Sequence, residues 1–127
     1  MEDLHKKIVK ELDDIISRAP DVDVEYEYVQ FCEEHEGILW NSDDEMIPGI
    51  RRRMLLITDL MRFQMHFMLG ADVAPILHHI LNCAKHMDCE TLVKSFQDEK
   101  RMAQMAKILE QKNVSVLCEQ ARKEKAG

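Results

Sequence analysis

Glycine and proline are scarce in this chain, four and three among 127 residues. Architectures of many short strands and tight turns draw on both, so their punctuation is missing here. Four isolated glycines also leave nowhere for a phosphate-cradling loop or a nucleophile elbow, and no Ser/His/Asp arrangement is evident, which makes enzymatic chemistry the minority reading. No stretch reaches the roughly 18 uncharged apolar residues of a membrane span. The most apolar run, residues 54–69, is interrupted by Asp59 and Arg62. The opening Met-Glu-Asp-Leu-His lacks the basic-then-apolar layout of a secretion signal. No two cysteines have the C-x₂-C spacing of a zinc hairpin. A helical domain with a good core needs no disulfide, so Cys32, Cys83, Cys89 and Cys118 are expected as free thiols in a reducing compartment, cytoplasmic or nuclear.

Basic charge is also in deficit, with 17 Lys and Arg against 24 Asp and Glu for a net charge of −7. Such a balance disfavours a dedicated nucleic-acid binder, which carries a basic footprint over the whole domain. The charge is uneven. Residues 1–50 hold 15 acidic and 4 basic side chains, net −11, and residues 51–127 hold 9 and 13, net +4. Opposite signs in one chain pair internally or draw two copies together, end to face.

What is present in quantity is helix-forming. Apolar residues make up 46% and charged residues 32%, as in an ordinary globular domain, and Leu, Met, Ala, Glu, Lys, Gln and Arg dominate. Leu4, Ile8, Leu12, Ile15 and Ile16 predict an amphipathic helix over residues 2–18, stopped by Ala19-Pro20-Asp21. Residues 22–28 alternate like a strand, but a lone strand finds no partner in this sequence, so a helix over 23–36 is expected, capped by Asp21 or Asp23 and stopped by Gly37. A connection follows over 38–48, holding Trp40 and a Ser42–Glu45 capping box. A helix over 50–69, apolar on nearly all sides, is expected at the centre, ended by Gly70. Asp72 is expected to cap a helix over 73–87, and Asp88 one over 90–111 that buries Leu92, Val93, Phe96, Ala103, Ala106 and Leu109. Asn113 and Ser115 mark a break before a short last helix, with 122–127 a frayed tail. The fold class is all-α: one domain of five or six helices bundled around residues 50–69.

Four groups of residues carry candidate chemistry. His79, Cys83 and His86 share a helical stripe, and with Cys32 or His35 they are candidate Zn²⁺ ligands; no other cofactor is implied. The acidic run Asp21, Asp23, Glu25, Glu27, Glu33, Glu34 and Glu36 reads as a solvated face. Arg51, Arg52 and Arg53 stand where a helix dipole disfavours them, so the acidic first half or an acidic partner is expected to hold them. Met46, Met54, Met61, Met65 and Met68 crowd one region. The stripe Met54, Ile57, Met61, Met65 and Met68 is expected to face a second copy or a partner helix, while Leu56, Leu60, Phe63 and Phe67 face the chain's own core. The leading expectation is a self-associating interaction or regulatory module. A metal-binding or redox protein comes next, and a nucleic-acid-associated factor using Arg51–Arg53 after it.

Overall fold

A computed structural model describes residues 2–36 and 47–126. Among these residues all regular structure is helical, in six helices: α1 (Glu2–Arg18), α2 (Val24–Glu34), α3 (Ile47–Met68), α4 (Ala74–His86), α5 (Glu90–Gln97) and α6 (Glu99–Ala126). Of the connection expected over 38–48, residues 38–46, with Trp40, the Ser42–Glu45 box and Met46, lie outside the described residues, as does the side chain of Cys118, and residues 47 and 48 belong to α3.

α1 buries Ile8, Leu12, Ile15 and Ile16 and has the expected bounds. The strand-like alternation of residues 22–28 gives way to helix because Asp23 takes the N-cap, its Oδ1 accepting from the Tyr26 amide at 3.2 Å. α3 begins three residues earlier than expected, at Ile47, so Arg51–Arg53 fall beyond its first turn. The conflict with the helix dipole is smaller there than anticipated, since the dipole's influence fades within that turn. α3 packs against α1, α2, α4 and α6, and α5 packs against α1, α4 and α6. Leu56, Ile57, Leu60 and Phe63 on α3 meet Ile8 and Leu12 of α1, Ile80 of α4, Leu92 of α5 and Met105 and Leu109 of α6 in one core. Each fully buried Leu, Ile or Phe contributes about 1.5–3 kcal/mol of transfer free energy.

Helix ends account for the remaining departures. Gly70 ends α3 in the left-handed region, φ 71°, with the Ala71 amide donating to His66 O at 2.9 Å. Asp88 ends α4 the same way, φ 55°, the Cys89 amide returning to Ala84 O at 2.8 Å. It therefore closes α4 and does not cap α5, whose N-cap is Cys89. Asp72 accepts from the Ala74 amide at 3.0 Å, although the N-cap of α4 is Val73. The helix expected over 90–111 is broken at Asp98, extended at ψ 108°. Its Oδ1 accepts from the Lys100 and Arg101 amides at 3.0 and 3.3 Å and so starts α6. That break resets the helical phase: Met105 is buried and Ala103, expected inside, is exposed. No break occurs at Asn113 or Ser115; α6 runs on through both.

A buried side chain, Gln64, and a half-buried one, Arg101, lock the α1–α2 turn. Gln64 of α3 donates through Nε2 to the carbonyls of Pro20 and Val22, at 2.9 and 2.7 Å. Arg101 of α6 donates to the carbonyls of Arg18 and Ala19 at 3.1 and 3.2 Å, to Asp21 at 2.6 Å, and to Ser95 Oγ. The guanidinium thus satisfies carbonyls that a helix end leaves open. Among the described residues no helix is long and apolar enough to cross a membrane.

Candidate functional site

The acidic and basic halves meet inside one chain. Arg53 reaches Asp13 at 2.7 Å, and Lys112 reaches Asp23 at 3.0 Å and Glu25 at 3.4 Å, while Arg18 reaches Glu27 at 2.9 Å within the acidic half. Of the three consecutive arginines, Arg53 finds the expected internal partner. Arg51 and Arg52 are exposed and have no ion-pair partner among the described residues.

The outward face of α3 is rotated from the expected one. Ile57 is 0% exposed and Met54 is buried with it, because both lie on the flank that the neighbouring helices cover. Met61 and Met68 are half-buried against the core, and of the five proposed partner-binding residues only Met65 is exposed. Phe67, expected inside, is partly exposed. The line that meets solvent runs Arg51, Leu55, Thr58, Arg62, Met65, Leu69, each four or three residues from the last. Leu55 is 65% exposed and Leu69 73%. The outward face of α2 has the opposite charge: Tyr26, 61% exposed, then Val29 and Glu33 at the same helical spacing, with Glu25 and Glu36 beside them. A helix apolar around its circumference has no dominant moment, so sequence alone does not say which side its neighbours cover.

A second feature lies between α3 and α4. His79 and Cys83, one turn apart on α4, face Asp59 of α3. Asp59 Oδ2 is 3.1 Å from His79 Nε2, and Cys83 Sγ is 3.7 Å from the same nitrogen. Arg62 Nη1 stands 3.6 Å from the other carboxylate oxygen. Asp59, His79 and Cys83 border a cleft of about 410 Å³ whose walls are mostly apolar, from Leu55, Leu56 and Met87, with Arg52 and His86 also on its lining. Burial, and then the Asp59 charge, push the Cys83 thiol above its ordinary range. The spacing of His79 and Cys83 is legible in the sequence. Asp59 is not, because it reads there only as an interruption of an apolar helix.

Cys32 and His35 do not join this cluster. Cys32 sits on α2 and His35 is its C-cap, buried with Nε2 2.5 Å from Glu11 Oε2 and its ring 4.8 Å from that of Phe31. His35 therefore ties α2 to α1, with the Glu34 carboxylate close by. Cys32 lies beside Tyr28, which burial and then the interaction with Cys32 push up to about 12. Compared with known proteins, the chain matches no family model, no curated protein and no solved structure.

Proposed function

We propose that this chain is a helical interaction module that associates with copies of itself, the basic outward face of α3 on one copy meeting the acidic outward face of α2 on another. One observation carries the reading. Two helix faces of opposite charge, Arg51–Leu55–Arg62–Met65–Leu69 and Glu25–Tyr26–Val29–Glu33, each hold exposed apolar side chains at helical spacing. Scattered exposed apolar residues need no explanation, but lines of them framed by complementary charge fit a partner surface. The scaffold beneath would be a single bundle centred on α3.

Magnitudes favour a closed pair. Covering the exposed parts of Leu55, Met65, Leu69, Tyr26 and Val29 is worth about 5–9 kcal/mol in transfer free energy. Loss of translational and rotational freedom costs about 4–15 kcal/mol on association, so one such contact is marginal. A two-fold pair makes the contact twice and meets that cost once, and closed symmetry limits growth to the dimer. The free thiols of Cys32, Cys83 and Cys89 suit a reducing compartment, cytoplasmic or nuclear.

Sedimentation velocity over a concentration series tests the proposal. The wild-type chain should shift towards a dimer with rising concentration. Arg51→Glu with Arg62→Glu should stay monomeric, and so should Glu25→Lys with Glu33→Lys. Mixing the two variants should restore association, because the signs are again opposite. A wild-type chain that stays monomeric at its highest soluble concentration overturns self-association. Capture of an acidic amphipathic helix by that monomer would instead assign the α3 face to a different partner.

A further inference from the structure

We propose that Asp59, His79 and Cys83 form a binding site for one Zn²⁺ ion on the wall of the α3–α4 cleft. The three groups present one oxygen, one nitrogen and one sulfur donor, all within 4.8 Å of one another. Zn²⁺ takes this mixture, at about 2.0–2.2 Å to oxygen or nitrogen and about 2.3 Å to sulfur. In a tetrahedron of those bond lengths the oxygen–nitrogen edge is about 3.4 Å and the nitrogen–sulfur edge about 3.6 Å. The distances here are 3.1 and 3.7 Å, so on these two edges an ion needs displacements of a few tenths of an ångström, and the oxygen–sulfur separation is within 4.8 Å.

The other such cluster among the described residues differs. Glu11, Glu34 and His35 also bring three donors together, but the His35–Glu11 separation of 2.5 Å is far shorter than a tetrahedral edge. That pair is closed on itself as a hydrogen bond. Its donors include no sulfur, whereas the Asp59 site offers a thiol, which is the ligand that separates zinc-type ions from magnesium or calcium.

Charge and support agree with the assignment. One carboxylate and one thiolate neutralise a divalent cation, which suits a cleft lined mainly by Leu55, Leu56 and Met87. On binding, the Cys83 sulfur forms its bond to zinc and the thiol proton leaves to solvent. Arg62 Nη1 lies 3.6 Å from the second carboxylate oxygen of Asp59, an ion-pair contact on the outer side of that ligand. α3 and α4 already pack together, so the donors are positioned before the ion arrives. Three protein ligands leave a fourth position open towards the cleft, where His86 also lies. The three donors all belong to a single chain, so the ion needs no second copy.

Co²⁺ serves as the spectroscopic probe, titrated into the purified, metal-stripped full-length chain. The expected result is one ion per chain, with the visible absorption of tetrahedral cobalt and a thiolate-to-cobalt charge-transfer band, both abolished by Zn²⁺. Cys83→Ser should remove the charge-transfer band. His79→Ala and Asp59→Asn should each weaken binding about 100-fold or more, since even outer partners of metal ligands are worth about 10- to 100-fold. Cys32→Ser and His35→Gln should leave the spectrum unchanged. Circular dichroism on each variant confirms that its helices are intact, and a rise in wild-type Tm with Zn²⁺ reads binding without relying on any variant. Absence of one-to-one binding to the folded wild-type chain overturns the proposal. So does a charge-transfer band that survives Cys83→Ser, or that disappears with Cys32→Ser.

Discussion

The buried side-chain carbonyl of Gln64 accepts a hydrogen bond from the Val24 amide at 3.2 Å, joining the C-terminal part of α3 to the first residue of α2. The Gln64 amide nitrogen serves two further backbone groups, the Pro20 and Val22 carbonyls. Gln64→Leu has similar bulk but leaves all three without a partner. Buried unsatisfied groups cost about 1–3 kcal/mol each, and the Val22 bond is only part-buried, so a loss of about 3–5 kcal/mol is expected in urea denaturation. Gln64→Glu keeps the acceptor and loses both donors when ionised, so it should also destabilise. A change below about 0.5 kcal/mol for Gln64→Leu would contradict this role, that being the scale of a surface substitution.

On α3 the two flanks should answer very differently to truncation. Ile57→Ala removes buried methyl groups and should cost about 2–5 kcal/mol. Leu55→Ala, on the solvent face, should stay within about 0.5 kcal/mol when measured on the monomer. Equal losses at the two positions would mean that the outward face is covered within the chain itself.

Alkaline titration should isolate Tyr28. Burial, and secondarily Cys32, hold its hydroxyl up at about 12 in the folded chain, against about 10 for an unfolded tyrosine. The raised value favours the neutral, folded form. The stabilisation it represents is therefore complete below pH 10 and is lost as pH rises through about 12. Tyr28→Phe should flatten the fall in stability across that window, and phenolate absorbance should show one tyrosine ionising only near its upper end.

The described thiols should be slow nucleophiles. Burial raises Cys32, Cys83 and Cys89 above the ordinary thiol range, in Cys83 with help from Asp59 and in Cys89 with help from Asp13. Less thiolate at neutral pH means slower alkylation. Peptide mapping after iodoacetamide should find all three labelled more slowly in the folded chain than in urea, with rates rising steeply at alkaline pH. Labelling as fast in the native chain as in urea would refute the raised values.

How far the sequence carried each of these features depended on whether the signal was local. The α1 stripe, the Asp23 cap, the Gly70 stop and the His79–Cys83 spacing are written in a few consecutive residues, and all are found in the structure. Asp98 has no glycine or proline beside it to mark a break, yet its carboxylate accepts from two amides and so ends one helix and starts the next. The flank of α3 that faces inward was out of reach for a different reason. Periodicity fixes residues relative to one another on a helix, but the choice of side belongs to the helices that pack on it, and α3 is apolar enough to satisfy either choice. Asp59 needed both pieces of knowledge: the phase of α3 and the fact that α4 lies alongside.

Arg101 also bears on the order in which a growing chain can settle. Its guanidinium closes off the last carbonyls of α1 and neutralises Asp21, eighty positions upstream. During synthesis on a ribosome, α1 and the turn after it emerge early, yet the side chain that seals them is added only after α2 to α5 have all been made. Until then the α1 end depends on water and on Gln64. A nascent chain halted before residue 101 should be open to proteases at residues 18–21, and the same bonds should become resistant once α6 has cleared the exit tunnel.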